Sequence, residues 1–361
     1  ISGLSAALAA ARAKCDVLLV DENPYFGGYL SNSEASVNGK KIDDWIRIVR
    51  EELKSYEHVK LLNRTSAMGY YDYNYVTALE KVTNHHQELS KTLPRERYWR
   101  IRAKKIILAQ GAFERPLVFA DNDRPGIMMA SAGLKYICRY GVLPGKSAVL
   151  FTNNDHAYLS AFEFAEKGAK VTIIDSRNEA SDHVKNRCKE LKIEIYFSHS
   201  VISTFGQKKI NALEIQKTED KGNKLVGAVK KIDTDLVLMS GGWNPAVQLF
   251  SQSRGKLKYD KKINSFIPDM AIQDQIIVGC NNGDFDLSYN LENSFQSGLK
   301  FAKELGKDIN FENSNFNGKE HIPFVSAQVE PYMIGKKGVT KGSKHFVDFQ
   351  NDVTAADIFL A

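Results

Sequence analysis

The sequence predicts an α/β protein built on two βαβ units, the second inserted in the first. Three observations carry this. The chain opens on Ile1-Ser2-Gly3-Leu4-Ser5-Ala6-Ala7-Leu8 and runs on to an apolar stretch, Val17-Leu18-Leu19-Val20, that ends in Asp21-Glu22. A second apolar run begins at Ser147, passes through a helical segment and ends in another apolar run at Asp175. Two further buried-strand patterns, Lys105 to Leu108 and Gln275 to Val278, each stop at a glycine-containing turn, the second after the chain has turned back.

The opening segment reads as the second half of a G-x-G-x-x-G loop entering a helix. Gly3 takes the place of the third glycine, so the first two and the first strand belong before residue 1, and the chain reads as a fragment. The small residues Ala6, Ala7, Ala9, Ala10 and Ala11 let such a helix lie close on a sheet. A helix N-terminus facing pyrophosphate, with an acid at the next strand end taking a ribose hydroxyl, defines a dinucleotide site. Asp21 and Glu22 compete for the ribose, and Glu22 is favoured because Asp21 is placed to cap the following turn. A carboxylate there prefers a free 2′-hydroxyl, hence NAD over NADP. Gly27 and Gly28 follow Pro24 in a turn where backbone approaches a ligand.

Ile42 to Tyr56 has helical periodicity, with Trp45, Ile46, Val49 and Leu53 on one face. Val59 to Leu62 reads as the next strand. Thr65 to Ala103 alternates aromatic and polar residues and reads as an antiparallel meander. Gly111 ends the next strand beside the cofactor. Ala112 to Gly126, with two Arg-Pro pairs, reads as a rigid charged crossover. Arg115 and Arg124 there face either a phosphate or the nearby acids Glu114, Asp121 and Asp123.

The second unit has the turn Thr152-Asn153-Asn154-Asp155-His156, which lacks glycine. Side chains obstruct the approach of phosphate to backbone. Asp155 reads as a helix N-cap that repels phosphate. This unit keeps the Rossmann-like fold without strong dinucleotide binding. Gly241 to Pro245 turns the chain back, with Trp243 expected in a core. After Cys280, Gly283 and Asp284 precede a helix from about Leu287 to Leu305, a second helix terminus near the ligand. The expected domains are 1–113 with 242–310, 114–241, and 311–361, the last beginning as a polar linker over 311–342.

Composition narrows the function classes. At 361 residues, 43% apolar and 25% charged, this is an ordinary globular composition of two or three domains. No apolar run approaches the ~18 residues of a membrane span, and Ile1 to Ala11 lacks the basic flank of a signal peptide. Net charge is +6, but Lys and Arg are scattered rather than striped, which argues against nucleic acid. Cys15, Cys138, Cys188 and Cys280 contain no C-x-x-C and fit reduced thiols in a cytoplasmic protein. His85, His86, His183 and His199 lack metal-ligand spacing. No residue is nominated as catalytic.

Two interleaved βαβ units resemble the flavoprotein disulfide reductases. Ala109-Gln110-Gly111 stands where those proteins carry Ala-Thr-Gly, and Gly279 to Asp284 at their late glycine-aspartate turn; the redox cysteine pair is missing. A more specific resemblance runs through Gly69 to Asp72, Glu114 to Gly126, Ser240 to Pro245, Phe250 to Leu257 and Phe346 to Thr354. These stretches resemble the alpha subunits of heterotetrameric sarcosine oxidases.

The resemblance implies an NAD-binding region followed by a folate-binding, aminomethyltransferase-like domain, before which this sequence stops. It implies beta, gamma and delta partner subunits, FAD and amine oxidation in the beta subunit, and FMN between alpha and beta. The implied reaction converts sarcosine, tetrahydrofolate and oxygen to glycine, methylenetetrahydrofolate and hydrogen peroxide. Three competing readings stay open: a self-sufficient NAD(P)H-dependent flavoprotein oxidoreductase, an alpha-type subunit of a related amine, proline or opine dehydrogenase, and a scaffold with a structural dinucleotide.

Overall fold

The computed structural model describes residues 1–31, 33–88, 90–220, 224–309, 316–320 and 343–361. Two compact units share the chain. Ile1–Phe113, Pro245–Lys261 and Ser265–Pro323 form one; Glu114–Asn244, Lys262–Asn264 and Phe324–Ala361 form the other.

The first unit starts with α1 (Ser2–Arg12). Alanine loses no side-chain entropy in a helix, so this stretch forms readily. It ends where Lys14 takes a left-handed φ of 58° and Cys15 N donates to Ala10 O at 3.0 Å. The chain enters β1 (Val17–Val20), crosses through α2 (Ile42–Lys54) and returns in β2 (Val59–Leu62), parallel to β1 with Val17 opposite Val59. The inner stripe of α2 is Ile42, Trp45, Ile46, Val49 and Leu53, at three- and four-residue spacing. Strands β3 (Thr65–Tyr71), β4 (Tyr75–Lys81) and β5 (Glu96–Arg102) form the antiparallel meander, and β6 (Ile106–Leu108) follows.

The second unit holds β7 (Ile127–Met129), α3 (Ala130–Tyr140), β8 (Ser147–Thr152), α4 (Tyr158–Glu166), β9 (Lys170–Asp175), β10 (Glu194–Phe197) and β11 (Leu236–Ser240). These strands form one parallel sheet in the order β7-β11-β8-β9-β10. Its core gathers Phe119, Val149, Phe151, Ile174, Val237 and Met239. A three-stranded antiparallel sheet, His199–Phe205, Ala212–Glu219 and Lys224–Asp233, completes it. Helix α3 is not evident in the sequence, because its buried positions are Ala130, Gly133 and Ile137. A Cβ at Gly133 would stand 2.6 Å from Leu238 Cδ2, so small residues are what let this helix lie on the sheet.

One sequence expectation is corrected here. Asp155 does not cap α4. That helix begins later, at Tyr158, behind a turn in which Asn154 Oδ1 accepts from Ala157 N at 3.1 Å. Asp155 instead pairs with Arg177 at 2.7 Å and accepts from Ser181 N at 3.2 Å.

The chain re-enters the first unit with β12 (Gln275–Ile277), parallel to β6, and α5 (Leu287–Glu304). Asp286 caps α5 by accepting from Tyr289 N at 2.7 Å. Helices α1 and α5 touch closely: a Cβ at Gly298 would overlap Ala6 O, and Ser5 Oγ donates to Leu291 O at 2.7 Å. Most of the expected linker 311–342 lies outside the described residues. Within it, Gly318–Lys319 pairs with Ser36–Val37, and Phe316 packs edge-on to Trp45 and Phe295. In the second unit a hairpin, β13 (Phe346–Asp348) and β14 (Val353–Thr354), leads into α6 (Ala355–Leu360). Among the described residues no helix is long and apolar enough to cross a membrane.

Candidate functional site

Every residue nominated as cofactor-binding lies in the first unit, and three of its segments converge. Gly3 is in the first turn of α1, where a Cβ would lie 3.4 Å from Ala109 Cβ and 3.6 Å from Leu19 Cδ1. The helix therefore starts against both β1 and the end of β6. Gly279, just past β12, sits against Ser2, since a Cβ there would overlap the Ser2 side chain. The start of α1 carries no side-chain cap and no acid in its first turn. The first-turn N–H groups and the positive dipole end of a helix are suited to an anion.

The strand ends around this helix are glycine-shaped. Gly111 has φ +78° with open space where a side chain would stand. Gly279 has φ +74°, and Gly283, which closes the one-turn helix after β12, has φ +84°. Only glycine adopts such backbone freely. Asn281 Nδ2 donates to Gln110 Oε1 at 2.8 Å and ties the ends of β6 and β12 together. This link was not nominated from the sequence; the Asn281-Asn282-Gly283 turn was its only signal. Asp284 accepts from Asn282 Nδ2 at 3.0 Å, and its carbonyl accepts from Asn290 Nδ2 at 2.8 Å, so it also braces α5.

The two acids at the end of β1 differ. Asp21 Oδ1 accepts from Asn23 N at 2.9 Å and from its Nδ2 at 3.2 Å. Burial raises the Asp21 carboxyl above its ordinary value, and the Asn23 bonds oppose that rise. Glu22 is exposed. Gly27, at φ +118°, lies 2.5 Å in Cβ terms from Ile46 Cδ1 and acts in packing against α2. Gly28, at φ +63°, faces open space.

The matching end of the second unit is filled by the protein itself. Asp175, fully buried at the end of β9, accepts from Tyr158 OH at 2.7 Å and pairs with Arg177 at 2.7 Å. Arg177 also pairs with Asp155, whose carboxyl burial would raise; Ser181 and Arg177 outweigh this and hold it below its ordinary value. A guanidinium and two carboxylates are thus gathered at the end of β9. Burial alone keeps His156 neutral, with its pKa pushed down to about 3. Trp243 is buried 5.9 Å from the His156 ring. Arg124 pairs with Asp121 at 3.1 Å, and Arg115 donates to Asn244 Oδ1 and to Asn264 O, so both arginines serve structure.

A fold of two βαβ units with one open, glycine-lined helix terminus defines a class of nucleotide-dependent oxidoreductases. The profile of the pyridine nucleotide-disulphide oxidoreductases matches residues 1–270, and the chain belongs to that family. More particularly, it is 33% identical to the sarcosine oxidase subunit alpha of Corynebacterium sp. (strain P-1), over 100% of this chain and 37% of that protein. The sarcosine oxidase subunit alpha of Rhizobium meliloti (strain 1021) is 34% identical, with 100% and 35% covered. The chain thus spans little more than a third of these relatives. Among solved structures, T. acidophilum thioredoxin reductase superposes with a TM-score of 0.62 at 16% identity, covering 85% of this chain and 96% of that one. L-proline dehydrogenase from P. horikoshii gives 0.61 at 18% identity, covering 86% and 54%. These structures establish the fold.

Proposed function

We propose that this chain is the NAD-binding region of a sarcosine oxidase alpha subunit. Its single dinucleotide site is the start of α1, with Gly3 against the pyrophosphate and Glu22 or Asp21 on the adenosine ribose. Gly27, Gly28, Gly111, Gly283 and Asp284 line or shape the surroundings. The observation that carries this is the start of α1 set beside left-handed glycines at Gly111, Gly279 and Gly283. These residues fit a dinucleotide, because a helix N-terminus offers backbone N–H groups to an anion and no side chain fills the approach at Gly111. NAD supplies hydride chemistry when bound; the chain's own part is to hold its phosphates and ribose.

In this reading amine oxidation takes place in a beta subunit carrying FAD. FMN lies between alpha and beta, tetrahydrofolate is handled by a further domain of alpha, and gamma and delta subunits complete a cytoplasmic heterotetramer. The support is the 33–34% identity along the whole chain to proteins named as that subunit. The test is direct: the isolated chain binds NAD and leaves sarcosine unoxidised. Sarcosine turnover by this chain alone would contradict the assignment.

A second reading, a self-sufficient NAD(P)H-dependent flavoprotein oxidoreductase, draws on the 96% coverage of a thioredoxin reductase. It needs a nicotinamide site in the second unit, where Arg177 and its two carboxylates stand. A stoichiometric flavin band bleached by NADH would favour it.

A further inference from the structure

The meander β3–β4–β5 has two faces, and among the described residues the apolar cluster of the first unit packs on one of them. Directly opposed residues share a face. On the inner side Tyr70, Val76 and Ile101 form one row, and Tyr70 is fully buried in a cluster with Leu108 and Phe250. On the outer side the rows are Tyr71–Tyr75–Arg102, Gly69–Thr77–Arg100 and Ser66–Leu79–Tyr98.

The outer rows are preorganised. The Tyr71 ring lies across Gly69, where a Cβ would come 2.5 Å from its hydroxyl. The rings of Tyr71 and Tyr75 are 5.9 Å apart, and the Arg102 guanidinium sits 5.2 Å over Tyr75. Tyr71 is 46% exposed, Tyr98 57% and Met68, in the bulge of β3, 58%. Arg100 and Arg102 are exposed and form no ion pair among the described residues.

A sheet face meant for water is dressed in Lys, Glu and Thr. Tyr, Met and Arg are the residues enriched in the cores of protein interfaces, and Tyr and Arg among the hot spots. We propose that this outer face docks an acidic surface of a partner polypeptide. Partner carboxylates take the forks of Arg100 and Arg102, and an apolar or aromatic side chain lies between Tyr71, Tyr98 and Met68. Charge selects the occupant. These three rows hold no acid, and Glu96 on the next row stands opposite Lys81, so the two guanidinium groups have no counter-charge on them. A second copy of a chain with net charge +6 would bring the same cations to face them. The inference rests on the reading that the chain works inside an assembly.

The experiment isolates the assembly that the tagged full chain forms in its own host and compares its hydrogen exchange with that of the chain alone. Amides of 66–71 and 96–102 slow by about tenfold or more in the assembly. The double variant Arg100→Glu, Arg102→Glu weakens assembly by at least about tenfold, and Arg100→Lys, Arg102→Lys falls between it and wild type, because lysine keeps the charge and loses the fork. Circular dichroism and thermal midpoint stay unchanged in both, since these side chains are solvent-facing. An assembly that forms in full with the charge-reversed chain, its 96–102 amides as fast as in the free chain, overturns the docking face and leaves the subunit reading standing. A chain that assembles with nothing overturns both. Self-association through this face overturns the acidic partner.

Discussion

Asn122 holds Phe346 by both of its backbone groups. Phe346 N donates to Asn122 Oδ1 at 2.9 Å, and Asn122 Nδ2 donates to Phe346 O at 2.9 Å and to Leu117 O at 3.1 Å. Both residues are buried. Beside them Asp121 N donates to Lys344 O at 2.6 Å, and Lys344 N donates to Asp121 Oδ1 at 3.1 Å. The Asp121-Asn122 pair is thus a clip that pins 344–346 onto the second unit.

Replacing Asn122 by Ala leaves two buried backbone groups of Phe346 and the Leu117 carbonyl without partners. Each costs about 1–3 kcal/mol, so urea unfolding is expected to show a loss of roughly 3 kcal/mol. Limited proteolysis is expected to open the chain near Lys344 before any other site. An Asn122→Ala chain that unfolds and is cleaved like wild type would show that the clip holds nothing.

What the sequence made legible follows from range. β1, β2, β8 and β9 are short apolar runs bounded by turn residues, and their pattern is local; the structure places strands on each of them. The glycines around α1 were legible because positive φ is a local demand. The clip was not, since Asn122 and Phe346 lie 224 positions apart. Asp155 misled for a related reason: beside a helix it resembles a cap, and its actual partner, Arg177, arrives from the strand after that helix. Helix α3 was hidden by the very smallness of its inner face.

Arg177 neutralises Asp175, whose side chain is wholly buried, and Asp155, whose side chain is 17% exposed. Arg177→Met leaves two carboxylates without their cation, and removing one partner of a buried pair costs roughly 3–5 kcal/mol. The pH dependence has a defined sign. The Asp155 carboxyl is held below its ordinary value, so its contribution is present above about pH 4 and is lost as pH falls through the lower folded value. The gap between wild type and Arg177→Met is therefore expected to narrow in acid. Chemical denaturation at pH 7 and pH 3.5 reads this, and a gap that widens in acid would contradict the pairing.

Glu114 behaves in the opposite sense. Burial lifts its carboxyl to about 7 against the bonds from Ser131 and Ser240, and Ser131 N donates to it at 2.9 Å. Its ordinary value is 4.5. The folded protein then binds the proton more tightly than the unfolded chain, so this group lowers stability progressively between about pH 4.5 and 7. The cost reaches about 3 kcal/mol above that range. Glu114→Gln keeps an acceptor for Ser131 N and carries no charge. It is expected to match wild type near pH 5 and to be the more stable protein at pH 8. Equal denaturation midpoints at pH 8 would remove the buried carboxyl from this explanation.

The central claim is that the chain has one dinucleotide site and that it is the start of α1. Calorimetric titration of the full chain with NAD, beside Gly3→Val and Arg177→Met, tests it most directly. A Cβ at position 3 already stands 3.4 Å from Ala109 Cβ and 3.6 Å from Leu19 Cδ1, so the valine methyls press the start of α1 away from β1 and β6 and displace the backbone proposed to hold the pyrophosphate. The expected result is a single NAD per chain for wild type, a loss of at least about tenfold in affinity for Gly3→Val, and an unchanged affinity for Arg177→Met where it remains folded. NAD binding that survives Gly3→Val intact and is altered by Arg177→Met would place the site in the second unit and contradict the claim.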